Sequence, residues 1–70
     1  MIRTGSKVKW KWGTGTATGT VKDVFDRRIS TTIKGTKVTR KGEPGNKALL
    51  IHQENGNEVL KLESEVEKMD

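Results

Sequence analysis

Lys7-Val8-Lys9-Trp10-Lys11-Trp12 alternates strictly between cationic and apolar residues, and that alternation decides the fold. Successive side chains of a strand point to opposite faces, so Val8, Trp10 and Trp12 share one face and three lysines the other. Gly13-Thr14-Gly15-Thr16 breaks this strand. The threonine-rich run from Thr16 to Phe25, with Val21 and Val24, reads as a second strand; Gly19 inside it predicts a bulge or sharp bend that lets one strand serve two sheets. After the polar turn Asp26-Arg27-Arg28, the β-branched run Ile29 to Ile33 is a strand, joined through Lys34-Gly35-Thr36 to Lys37-Val38-Thr39-Arg40 as a basic hairpin.

The segment from Lys41 to Lys47 concentrates turn formers and predicts an exposed, mobile loop. Ala48 to Glu54 and Glu58 to Leu62 flank Asn55-Gly56, the strongest short hairpin signal, and are expected to pair. Ser64 with Glu67 three residues later matches a capping box and predicts a last helical turn from Ser64 to Met69 in place of another strand. Five or six short antiparallel strands with glycine-containing turns favour a closed or nearly closed barrel over a sheet with exposed edges. The reading is therefore an all-β, SH3-like barrel with a short C-terminal helical turn.

Seventy residues make one domain, spanning 1–70, because so short a chain buries only about 60% of the surface its unfolded form exposes. With 30% hydrophobic and 33% charged residues, the core must be thin. Cysteine is absent, which removes disulfide staples and thiolate metal sites and fits a reducing cytoplasm. No apolar run is long enough for a signal peptide or a membrane span, so a soluble cytoplasmic protein without membrane partners is expected.

The net charge of +5 is unevenly spread. Residues 1–53 hold 12 Lys/Arg against Asp23, Asp26 and Glu43, giving +9; residues 54–70 hold Lys61 and Lys68 against Glu54, Glu58, Glu63, Glu65, Glu67 and Asp70, giving −4. A basic body carries an acidic tail. Those acids are expected to screen the body or lie against it, and deleting residues 64–70 is then expected to tighten anion binding at low salt.

The order and spacing of Gly5-x-x-Val8-x-Trp10, Gly15-x-Ala17-x-Gly19-x-Val21, Thr32-Ile33-Lys34-Gly35-x-x-Val38-Thr39-Arg40, Asn55-Gly56-x-x-Val59-Leu60-Lys61 and Ser64-Glu65 resemble the hypervirulence-associated proteins with a Tudor-like domain. These are small, mostly bacterial proteins of undefined molecular function. The resemblance covers about Gly5 to Lys68 and implies a Tudor-type, SH3-like barrel without catalytic residues. Tudor relatives bind methylated lysine or arginine through an aromatic cage, and others bind nucleic acid, on a superfold that hosts many functions. This sequence departs from a cage pattern: it has no tyrosine, only Trp10, Trp12 and Phe25, and Leu49 stands where relatives are expected to carry an aromatic residue.

Two sets of residues are candidates for binding. Trp12 and Phe25 offer aromatic faces for a cation or a base, while Trp10 is assigned to the core; Trp12, beside the Gly13 turn, and Phe25, at a strand end, fit either role. Lys7, Lys9, Lys11, Arg27, Arg28, Lys34, Lys37, Arg40, Lys41 and Lys47 offer a continuous positive surface for a phosphate backbone, or else a solvated face that keeps strand edges unpaired. Gly13, Gly15 and Gly19 lack the Gly-Lys-Ser/Thr of a phosphate loop. His52, the only histidine, lacks the partners that acid-base catalysis or a metal site requires and reads as a half-exposed strand residue. No metal and no small-molecule cofactor is expected, and enzymatic function is the least favoured class. Partners are expected to be nucleic acid, or a protein or peptide held near Trp12 and Phe25; the oligomeric state is not encoded legibly.

Overall fold

The computed structural model describes residues 2–69. Among them lie seven strands and one 3-10 turn: β1 (Lys7–Trp12), β2 (Gly15–Phe25), β3 (Arg28–Ile33), β4 (Thr36–Lys41), β5 (Ala48–His52), β6 (Glu58–Leu62), the turn η1 (Glu63–Glu65) and β7 (Glu67–Lys68). Five of them form one antiparallel sheet in the order β6-β5-β2-β1-β7, and β3 and β4 form a separate hairpin that lies against β6. The chain is the small all-β, SH3-like fold that its alternation predicts, with one short strand more than expected.

β2 carries the architecture because it is long enough to pair twice. Its first half, Gly15 to Thr20, pairs with β1, and its second half, Thr20 to Phe25, pairs with β5. The core consists of Val8, Trp10, Val21, Leu49 and Ile51, all buried, with Ala17, Val24, Val59 and Val66 packed against it. Each fully buried aliphatic side chain contributes about 1.5–3 kcal/mol. Val21 and Val24 stand three apart, an odd spacing that would send them to opposite faces of a regular strand. The register therefore shifts between Val21 and Asp23, leaving Lys22 as the extra residue, so that Val21 faces Ile51 and Val24 faces Leu49.

That bulge corrects the expectation placed on Gly19, which sits in regular register opposite Val8. Gly19 is required for a different reason: a Cβ there would meet Ile51 Cγ2 at 2.5 Å and the His52 carbonyl oxygen at 2.9 Å. The glycine lets β5 cross closely over β2.

Three turns obey their residues. Gly13 takes φ +60° at the first position of a two-residue loop, the need of a type II′ turn, and Lys34 and Gly35 take φ +50° and +78°, the pattern of type I′. At the third, Gly56 N–H donates to the Gln53 carbonyl (3.0 Å) and Gln53 N–H to the Asn57 carbonyl (2.8 Å), so β5 and β6 pair as expected around Asn55-Gly56.

Two further expectations are corrected. The segment Lys41 to Lys47 is exposed only at Glu43, Pro44, Gly45 and the Lys41 flank, and it is pinned rather than free. Glu43 and Asn46 exchange both backbone hydrogen bonds, Gly42 is buried with its N–H on the Arg27 carbonyl (3.0 Å), and Lys47 N–H donates to Glu63 Oε1 (2.7 Å). The predicted helical turn over Ser64 to Met69 is instead a shorter 3-10 turn, where Glu65 Oε1 accepts the Leu62 N–H (2.9 Å). Beyond it Val66 packs on the core, and Glu67–Lys68 pairs with β1. Hydrogen bonding along the β1 edge and burial of Val66 outweigh one more helical turn.

Candidate functional site

In a chain that runs up and down through β1 to β6, the turns after β1, β3 and β5 fall at one end of the barrel. Those three turns enclose a groove of about 390 Å³. Trp10, Ala17, Ile33 and Val59 give it apolar lining, and Trp12 stands beside it with 73% of its surface exposed, against 5% for Trp10. The same face of β1 thus buries its first two apolar residues and projects the third beyond the core.

The rest of the lining is polar and comes from two other hairpins. Lys34 reaches it from the β3–β4 turn, and Gln53, Asn55, Asn57 and Glu58 from the β5–β6 hairpin. Asn55 Oδ1 is committed to its own turn, accepting the Asn57 N–H at 3.0 Å. Glu58 is held by Lys22, whose Nζ lies 3.0 Å from Oε2. What remains for a ligand is one aromatic face, the amides of Gln53 and Asn57, the Asn55 Nδ2 donors and the Lys34 ammonium.

The ten cations singled out in the sequence do not form one stripe. Lys7, Lys9 and Lys11 stand exposed in a row on the outer face of β1, opposite Thr20, Thr18 and Thr16. Arg28, Lys37 and Lys41 are exposed on one face of the β3–β4 hairpin, whose Ser30 and Thr39 hydroxyls on that same face lie 2.8 Å apart. Arg40 is on the other face of that hairpin and reaches Glu65 at 3.4 Å. Arg27 lies with Cζ 5.7 Å from the centroid of the Phe25 ring. Lys47 is half-buried where its backbone is tied to Glu63.

Trp12 and Phe25 lie at opposite ends of the pairing of β2, Trp12 opposite Gly15 and Phe25 opposite Ala48, so the structure does not bring them together. The Phe25 face is already covered by Arg27. His52 is exposed on β5 opposite Glu58. Among the described residues no group of three or more His, Asp or Glu side chains is placed to hold a metal ion.

A second, larger depression of about 530 Å³ runs between β1 and the tail, lined by Lys9, Lys11, Lys61, Glu65 and Glu67 with Trp10. Here the acidic tail does lie against the body: Glu67 stands 3.8 Å from Lys9, and Glu65 meets Arg40. Asp70 lies outside the described residues. Of the three cations lining this depression only Lys9 has an ion-pair partner in it, but its one aromatic residue, Trp10, is buried, whereas the Trp12 groove joins an exposed aromatic face to Lys34. The Trp12 groove is the better candidate site.

Gln53, Asn57 and Ile33 carry neither charge nor an aromatic ring, so their residue types alone do not mark them as site residues. The signal that could have found them is topological, since every odd-to-even hairpin turn of such a chain meets at the same end.

Comparison with known proteins places residues 5–66 in a match to the family model described as "Hypervirulence associated proteins TUDOR domain". No curated protein and no solved structure matches the chain. The matched span covers nearly all of the β architecture described above, from Gly5 to Val66.

Proposed function

We propose a binding function for this chain, which belongs to the family of hypervirulence-associated proteins with a TUDOR domain: it is a non-enzymatic, cytoplasmic module that binds nucleic acid. The observation that carries the reading is the composition of β1, whose outer face presents Lys7, Lys9 and Lys11 and whose end presents Trp12. At the rise of an antiparallel strand these lysines are about 6.8 Å apart, a spaced row of point charges suited to a phosphate backbone. Lys34 adds a fourth charge beside the indole.

A second reading, capture of a peptide or a modified basic side chain at Trp12, draws on Glu58 in the groove wall. Two features oppose it. Glu58 is already paired with Lys22, and Lys34 would repel a cationic ligand. Phe25 adds nothing at this site, since it stands at the far end of β2.

The test is the salt dependence of binding to a labelled single-stranded oligonucleotide. Three to four phosphate contacts predict that log K falls with log salt concentration with a slope of roughly −2 to −3. Lys9→Glu and Lys11→Glu should each weaken binding and flatten that slope. Absence of binding at low salt would sink the reading and leave the lysines as a solubility device.

A further inference from the structure

We infer that the groove beside Trp12 receives one unpaired base of a single strand, so that the module distinguishes single-stranded from duplex nucleic acid; the inference rests on the nucleic-acid reading above. Four observations converge on it. The groove, about 390 Å³, is near the small end of ligand sites and suits one planar group better than a stretch of peptide. Trp12 supplies a broad exposed π-face, and stacking on such a face requires a base released from its own stack.

The amides of Gln53 and Asn57, presented by a different hairpin, each carry a donor and an acceptor. That pairing matches a base edge with both, as in the side-chain amide contacts made to adenine. A quaternary ammonium offers no hydrogen-bonding edge and would leave both amides without a partner. Lys34, finally, stands on the rim where the phosphate of the bound nucleotide would lie. The sign of that charge selects an anionic ligand over a methylated cation.

The turn that presents Lys34 is part of the design. Its φ of +50° in a type I′ turn directs the chain back at once into β4, and so holds the residue at the barrel end instead of in a long loop. A duplex has no unstacked base to offer. It can meet the lysines of β1 but not the groove.

The experiment compares four probes by fluorescence anisotropy: a short labelled single strand, the same strand without bases, the matching duplex, and a labelled trimethyl-lysine peptide. The wild-type protein should bind the base-bearing strand roughly five- to hundred-fold more tightly than the abasic strand. Trp12→Ala should bring the affinity for the base-bearing strand down to that for the abasic strand, and Trp12→Phe should keep part of the difference. Because Trp12 is 73% exposed, the variant should fold, which the buried Trp10 reports by its emission. Equal affinity for abasic and base-bearing strands, or for duplex and single strand, overturns the base site and leaves nucleic-acid binding standing. Failure of every nucleic-acid probe overturns both readings, and Trp12-dependent binding of the methylated peptide alone replaces them.

Discussion

Gly42→Ala should unfold this protein far more easily than the same change three residues away. A Cβ built on Gly42 comes 2.8 Å from the Ala48 nitrogen and 2.9 Å from the Arg27 carbonyl oxygen, and closer still to the Phe25 carbonyl oxygen. All three are backbone atoms where the ends of β2, β4 and β5 meet, so no side chain can swing aside. Forcing a methyl into such a site costs about 1–3 kcal/mol. The Gly42 N–H bond to Arg27, 3.0 Å long, would be disturbed as well, at about 0.5–1.5 kcal/mol. The sum, about 1.5–4.5 kcal/mol, is a large part of the roughly 4–10 kcal/mol expected of a chain this size. With a urea m-value of about 1–1.5 kcal/mol/M, the unfolding midpoint should fall by roughly 2 M. Gly45 has nothing within 4 Å of its built Cβ and no positive φ, so Gly45→Ala should leave the midpoint unchanged or raise it slightly. Urea denaturation followed by Trp10 and Trp12 fluorescence measures both. A Gly42→Ala midpoint equal to that of Gly45→Ala would refute the close-packed junction.

Two further outcomes test the charge and turn chemistry. Glu65→Gln and Glu67→Gln release Arg40 and Lys9, and because both ion pairs are solvent-exposed each change should tighten oligonucleotide binding at low salt only about two- to five-fold, with the gain vanishing at high salt; weaker binding would exclude competition by the tail. These variants replace deletion of residues 64–70, which would also remove β7 and the packing of Val66. Lys34→Gly relieves a left-handed residue and should stabilise the fold by about 0.5–1 kcal/mol in thermal or urea unfolding while lowering nucleic-acid affinity; loss of stability would show that the turn is not the strained I′ geometry described.

The legible parts of the fold were those encoded by local period. The alternation of β1, the β-branched run of β3 and the Asn55-Gly56 turn each dictate structure from neighbours in sequence. What misled were residues whose role is set by distant backbone. Gly19 looks like a bulge, yet it is small because Ile51 and His52 cross above it, and the bulge at Lys22 was signalled by the odd spacing of Val21 and Val24 instead. Gly42 hides in a run of turn formers, although it is the buried crossing point of three strands. In the tail, the Ser64 and Glu67 spacing suggested a cap, but the open edge of β1 claimed Glu67 and Lys68. Of the candidate site, Trp12 and Lys34 were visible as exposed types at turns. The amides were not, because polar turn residues carry no mark of which turn they face.

Folding the acidic tail onto the basic body changes what the net charge means. Glu67 sits by Lys9, Glu65 by Arg40, Glu58 by Lys22 and Glu43 by Lys41, so four of the cations are locally answered. Arg27 is laid over Phe25. Among the described residues flanking Trp12, Lys11 and Lys34 take part in none of these ion pairs. Exposed pairs are weak and exchange readily with salt, but at low ionic strength they still lower the local potential around their members. A polyanion approaching the barrel would therefore meet less attraction along the tail than at Lys7, Lys11, Arg28, Lys34 and Lys37, which are exposed and join none of these pairs. At the end where the three turns converge lie Lys34 and Trp12, which among the described residues is, apart from Met69, the only large apolar side chain exposed beyond half its surface. For a nucleic-acid ligand, electrostatics would supply the encounter and stacking on Trp12 the discrimination.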